Sequence, residues 1–300
     1  MTKSQMPNNK ENEVRVKRRA WVASVLPGVV WEVLFLGAPF VGIVVMGFMT
    51  RGEFGGVERP FTLENFKLLA GFGPFGFEAL YPVILLRTLL LALITAVLCA
   101  GAALPMVFWI SALSQGKRMV ALMLLTIPVW TNLLVRTYAW QVLLGPESWL
   151  TRAAAALGIV GAGEGLYPGT VAVLVCMVCD FLPFAALPLY ASVEKMNWAT
   201  VEAARDLGAG RWNVWRHGVY PQIKPGLWAG VIFVFLPALG QFVIPDLLGG
   251  AKTVLLGNVL QQQFGSSRDW PFGAAIATVT IVVLAAAVAV YSRKAKEELV

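Results

Sequence analysis

TVAVLVCMVCDFLPFAALPLYASV, residues 170–193, carries a single acidic or basic residue, Asp180. Its length matches the roughly 20 residues a helix needs to cross about 30 Å of hydrocarbon. Directly after it the chain turns polar. The segment EAARDLGAGRWNVWRHGVYP, Glu202 to Pro221, separates this run from another apolar one beginning at Leu227. The same alternation recurs along all 300 residues, of which 58% are hydrophobic and only 14% charged, a balance outside that of soluble domains. The chain reads as an integral membrane protein.

Working outward from residues 170–193, five more windows are long enough to span. The set is Val25 to Met49, Arg87 to Leu113, Met119 to Leu143, Thr170 to Val193, Leu227 to Leu248 and Pro271 to Tyr291. Such continuous runs exclude the short, alternating strands of a membrane barrel and predict an all-α bundle of about six transmembrane helices. The first run follows VRVKRR and is too long for a cleaved signal peptide, although an uncleaved signal anchor gives the same topology.

The net charge of +7 invites a nucleic-acid reading, but the location of the charges argues against it. Sixteen of the 24 lysines and arginines fall in segments 1–20, 114–118, 195–226 and 292–300, whereas the alternate segments 50–86, 144–169 and 249–270 hold six. Positive residues are retained on the cytoplasmic side, so both termini are predicted to be cytoplasmic. The organisation is then a cytoplasmic tail (1–20), one membrane domain (21–291) and a second tail (292–300), with 195–226 as the largest internal loop.

Catalytic patterns are missing. A single histidine, His217, precludes an HExxH pair, no GxSxG occurs, and Gly249 to Thr253 lacks the glycine spacing of a phosphate loop. Cys99, Cys176 and Cys179 all fall in apolar windows, where cysteine packs as a small residue. Gly226 and Gly230 form a GxxxG that permits close helix approach. No metal site, nucleic-acid site or catalytic constellation is predicted.

Within the internal loop, Thr200 is expected to cap a helix with Glu202 in its first turn. Ala203 and Leu207 share a face, with Ala204 beside them. Gly208 and Gly210 allow a left-handed cap or a sharp turn. Trp212, Val214 and Trp215 return to the interface, and Pro221 and Pro225 are expected to interrupt the helix before the fifth span. This knob and turn suits either a groove on another protein or lipid headgroups.

At Glu202, Ala203, Ala204 and Gly208, followed by Pro221, the chain resembles the EAA loop of permease subunits in binding-protein-dependent ABC importers. Gly218 and Tyr220 stand where that pattern has Ile and Leu. RTYAW (136–140), FLPFAALPLY (181–190), PALGQFVIPDLLGG (237–250), LLGNVLQQQF (255–264) and WPFGAA (270–275) resemble the spermidine/putrescine permease branch. Related branches carry iron, sulfate, phosphonate and amino-acid derivatives.

The resemblance implies a MetI-like permease in the bacterial cytoplasmic (inner) membrane that binds no cofactor itself. Its partners would be two copies of an ATP-binding subunit, a second permease subunit that is a related but different chain, and an extracytoplasmic solute-binding protein. ATP and Mg would sit on the partner ATPase, and Glu202, Ala203, Ala204, Leu207, Gly208 and Pro221 would form the coupling element.

Polar residues inside spans mark candidate contacts for the solute, because they are costly there, an Asp or Arg by roughly 2.5–3.5 kcal/mol at a helix centre, and so tend to face protein or water. Asn132 and Arg136 are expected to share one face of the third span with Pro128 and Trp140. Asp180 either pairs with Arg136 or lines the pathway. Gln241 and Asp246 follow Pro237, and Tyr138 and Trp140 offer cation–π faces to a polyamine. A stand-alone secondary transporter using Asp180 is the competing class.

Overall fold

Backbone N–H and C=O groups find no partners in hydrocarbon, so each long apolar run closes its hydrogen bonds on itself. The computed structural model describes residues 24–53, 55–73, 76–156, 158, 165–250 and 253–297. Its spanning helices are α1 (Ser24–Gly47, with a π turn at Val33–Gly37), α3 (Leu80–Ser111), α7 (Thr170–Glu194), α9 (Arg211–Leu239, with a π turn at Val214–Val219) and α12 (Trp270–Glu297). A bent pair, α4 (Gln115–Trp130) and α5 (Leu133–Leu144), makes the sixth.

Short helices connect them: α2 (Glu64–Leu69), α6 (Trp149–Ala156), α8 (Trp198–Asp206), α10 (Val243–Leu248) and α11 (Leu256–Phe264). Two antiparallel ribbons, β1 (Thr50–Arg51) with β2 (Val57–Glu58) and β3 (Phe72–Gly73) with β4 (Gly76–Phe77), flank α2. The tail 1–20 and the last residues of the segment 292–300 lie outside the described residues.

The core lies where α3, α7 and α9 meet. Small residues on α3 (Ala92, Ala96, Cys99, Ala103) face larger ones on α7 (Val173, Met177, Leu189), and Ile223 and Val234 of α9 complete the packing. The paired glycines act as expected: a Cβ at Gly230 would fall 2.7 Å from the Ala185 carbonyl oxygen. At Gly226 it would collide with Ser192 Oγ and the Pro188 carbonyl. Without side chains there, α9 settles onto α7 at backbone distance.

The loops gather at two ends. At one end Arg118 faces Glu194 (3.8 Å) and its guanidinium donates to the carbonyls of Ser111 (2.8 Å) and Leu113 (3.3 Å). Phe108 and Trp215 pack there with ring centroids 6.0 Å apart. At the opposite end Arg51 donates to Ser267 O (2.9 Å), the Gly169 N–H to Leu248 O (3.0 Å), and the Leu256 N–H to Thr88 Oγ1 (2.9 Å). Segments 114–118 and 195–226 are therefore together at one end, and the described residues of 50–86, 144–169 and 249–270 at the other. Gly47 of α1 rests on Ala275 of α12 at that second end. The opposite ends of both helices thus point back toward the positive loops.

Two spans depart from their expected course. The third is not one straight helix: α4 and α5 meet at 96° across Thr131 and Asn132. Pro128 cannot extend the α4 ladder normally, and Asn132 takes an extended conformation and caps α5. In the fifth, Leu227 is not the start and Leu248 not the end. Helix α9 begins at Arg211, stops at Leu239, and is followed after a break by α10.

Candidate coupling loop and membrane pathway

Helix α8 begins one turn earlier than the sequence suggests. Its cap is Asn197, whose Oδ1 accepts the Ala199 N–H at 3.1 Å, so Thr200 lies inside the helix and Glu202 beyond the first turn. Asparagine is the stronger N-cap, and the earlier start turns Val201 inward. Val201 is the one buried residue of α8. It lies against Gly218, where an added Cβ would sit 3.9 Å from Val201 Cα. A glycine at 218, in place of a branched side chain, forms the flat seat for Val201.

The C-terminus of α8 closes as expected. Gly208 adopts φ +78°, its N–H bonds Arg205 O (2.9 Å), and the Ala209 N–H bonds Ala204 O (3.1 Å). This is a Schellman arrangement, and the half-buried Ala204 and Ala209 both pack against the core. The opposite face is uncovered among the described residues: Glu202 and Ala203 are exposed, and Leu207 is 89% exposed at the tip.

Pro221 and Pro225 do not stop the helix, contrary to the expectation. The turn Val214–Val219 is wound as a π helix, with the Tyr220 N–H bonded to Trp215 O, and the α ladder resumes at Tyr220 with Pro221 in its first turn. Pro221 itself is exposed, Val214 is buried, and Trp212 is 68% exposed.

Gln222 is a residue of this loop that sequence reasoning missed. Its Oε1 accepts the Asn197 N–H (2.7 Å), and its Nε2 donates to Gly218 O (2.6 Å). No spacing pattern marks it, since a lone glutamine beside two prolines has no characteristic motif.

The pathway candidates do not form one stripe. Arg136 Nε lies 2.7 Å from Asp180 Oδ1, joining α5 to α7, and its guanidinium also donates to Pro128 O across the bend. Of the two readings left open for Asp180, the structure shows the pair. Asp180 is 4% exposed. Asn132 spends its side-chain oxygen on the Leu134 N–H (2.8 Å), Tyr138 is 53% exposed, and Trp140 packs partly against the core. The 96° bend puts Pro128 on a different helix from Arg136 and Trp140, so the expected four-residue face is not one helix face, and Arg136 meets Pro128 only by reaching back to its carbonyl.

At the far end Gln241 Oε1 accepts the N–H groups of Phe242 (3.0 Å) and Val243 (3.3 Å), turning the chain from α9 into α10. Asp246 is exposed on α10 and borders a cavity of about 530 Å³ with Thr253, Asn258, Gln261 and Gln262. Among the described residues no cluster of His, Cys, Asp or Glu fits a metal ion.

Against known proteins, residues 20–295 match the family described as "Binding-protein-dependent transport system inner membrane component". The chain is 36% identical over 266 residues to the spermidine/putrescine transport system permease protein PotB of Escherichia coli (strain K12), covering 89% of this chain and 94% of that one. It superposes on a chain of the bacterial alginate ABC transporter, solved with its alginate-bound periplasmic protein. The TM-score is 0.66 at 15% identity, over 94% and 96% of the two chains. A chain of the inward-facing methionine ABC transporter MetNI gives a TM-score of 0.55 at 14% identity, over 74% and 99%.

Proposed function

The chain belongs to the inner membrane components of binding-protein-dependent transport systems, and from that premise we propose that its cargo is a polyamine of the spermidine/putrescine class. It is a multi-pass permease of the bacterial inner membrane with a MetI-like fold. It is a transport subunit, and ATP hydrolysis belongs to a separate ATPase. The observation that carries the polyamine reading is 36% identity, nearly end to end, to a spermidine/putrescine permease.

In this reading the chain pairs with a second, related permease, engages two copies of the ATPase, and receives solute from a binding protein on the outer face. Helix α8 is the coupling element. Its unpartnered face, with Glu202, Ala203 and the projecting Leu207, enters a groove on the ATPase, while Ala204 and Val201 hold it to the bundle. The glycine cap at Gly208 ends the helix at a fixed length, and Pro221 sits at the head of the helix that carries the motion inward. ATP binding closes the ATPase pair, draws α8 with it and alternates access to the pathway, and hydrolysis resets it.

For the solute, Asp246 at the outer end offers an accessible carboxylate to an arriving ammonium group, and Tyr138 offers an exposed aromatic face. Asn132, Arg136, Trp140, Asp180 and Gln241 support the pathway by shaping the bend and the break in its walls. The charge of Asp180 is offset by Arg136, so it does not stand as a free trap in which a polycation would stall.

The deciding experiment is uptake of labelled spermidine and putrescine in cells lacking this chain, with and without its re-expression beside its neighbouring subunits. Restored, ATP-dependent uptake supports the polyamine reading. An assembled complex with active ATPase and no polyamine uptake moves the cargo to another class. Gradient-driven flux by the chain alone would favour a secondary transporter.

A further inference from the structure

We infer that Gln222 is a positioning residue for coupling, the side chain through which displacement of α8 is passed to α9. The inference rests on the docking role of α8 given above. Helix α8 has little grip on the bundle of its own. Apart from Val201 and the half-buried Ala204, its residues are exposed. The contact of Val201 with Gly218 is apolar and non-directional, so it resists separation but not sliding or rotation.

The directional link lies at the other end of the helix. Asn197 is the N-cap, and the N–H groups at a helix start have no intrahelical partner. The Asn197 N–H is taken by Gln222 Oε1 at 2.7 Å, while the side chain of Asn197 is already committed to Ala199. The same amide of Gln222 donates to Gly218 O at 2.6 Å and reaches Asn197 O at 3.5 Å. One side chain thus holds both the entry to α8 and the last residues of the π turn that opens α9.

The placement of that π turn strengthens the case. A π turn holds one residue more than an α turn of the same rise, and such turns recur at functional sites. Here it lies at 214–219, between the proposed docking element and the membrane portion of α9. Val201 sits on Gly218, and Gln222 bonds the Gly218 carbonyl, so side-to-side displacement of α8 acts on the π turn through two contacts on one residue. Removing Gln222 leaves only apolar contacts, of Val201 and Ala204, which can slide.

The test uses the whole importer in proteoliposomes, with its binding protein, ATP and spermidine as the probe. Two quantities are read: spermidine taken up per ATP hydrolysed, and the amount of ATPase copurifying with the permease. Gln222→Leu, close in shape but without hydrogen bonds, is expected to retain the ATPase and lower uptake per ATP by about three- to tenfold, the scale of one hydrogen bond. Gln222→Glu keeps an acceptor for the Asn197 N–H and is expected to fall between Gln222→Leu and the native chain.

An unchanged ratio in Gln222→Leu overturns the inference. So does loss of the ATPase from that complex, which would make Gln222 merely structural, or a Gln222→Glu ratio no better than that of Gln222→Leu. The premise is read separately: if Glu202→Arg leaves both ATPase copurification and uptake per ATP at native levels, α8 is not the docking element and the inference falls with it.

Discussion

Arg136 and Asp180 meet at 2.7 Å beside the bend of a broken span, with the guanidinium also held by the Pro128 carbonyl across that bend. The pair joins α5 to α7 at a point where neither charge is freely solvated, so each makes the other tolerable. Removing one partner strands the other, at a cost of about 3–5 kcal/mol in buried settings. Replacing both with apolar residues does not.

Asp180→Ala and Arg136→Ala are accordingly expected to lower the yield and thermal stability of the detergent-solubilised chain, and the double variant Arg136→Met with Asp180→Leu to recover most of both. Melting curves on the four proteins check this. Strictly additive losses would mean that the two side chains do not stabilise one another.

Gly230 lies with its α-carbon against the Ala185 backbone. Gly230→Leu should force α9 away from α7 and destabilise the bundle by about 3 kcal/mol or more, at the upper end of overpacking costs. Gly101, which has open space around it, should accept alanine with little change. The comparison is made by fluorescence-detected size exclusion after heating. Equal tolerance at the two positions would contradict the close approach.

Gly208 occupies the left-handed region at φ +78°. Gly208→Ala should cost about 1 kcal/mol locally, and Gly208→Pro should also remove the N–H that bonds Arg205 O. Both are expected to insert normally, because the site is exposed and outside the spans. Uptake driven by ATP should fall modestly for alanine and by at least tenfold for proline. Native uptake in Gly208→Pro would count heavily against α8 as the coupling element.

Asp246 is exposed on α10 and bonds through its backbone N–H to Phe242 O at 3.0 Å. Asp246→Asn preserves that bond and the shape of the side chain while deleting the charge. The protein level should be unchanged and the half-saturating concentration for spermidine uptake should rise severalfold, as expected for one solvent-exposed charge. Unaltered kinetics would remove Asp246 from the route of the cation.

Long apolar runs, the side-to-side distribution of lysine and arginine, and the EAA spacing are local properties, and they were legible without a structure. Hydropathy selects helices in lipid because nothing else satisfies the backbone, and Gly208 sits at a cap because few other residues tolerate its φ. Gly226 and Gly230 were readable as a close contact for the same reason: absence of a side chain is itself a steric statement.

What only the tertiary structure decided depends on competition between distant parts. Pro128 and Asn132 lie within an apolar window that reads as one span, and the 96° bend becomes visible only where Arg136 reaches back to Pro128 and across to Asp180. Pro221 looks like a helix stop, yet it falls directly after a π turn, where the ladder changes from π to α, and the helix runs on through it. Thr200 yields the cap to Asn197 because the earlier start turns Val201 onto Gly218. Gln222 carries no signal in the sequence, because its importance lies in a partner 25 residues away that folding brings to within 2.7 Å.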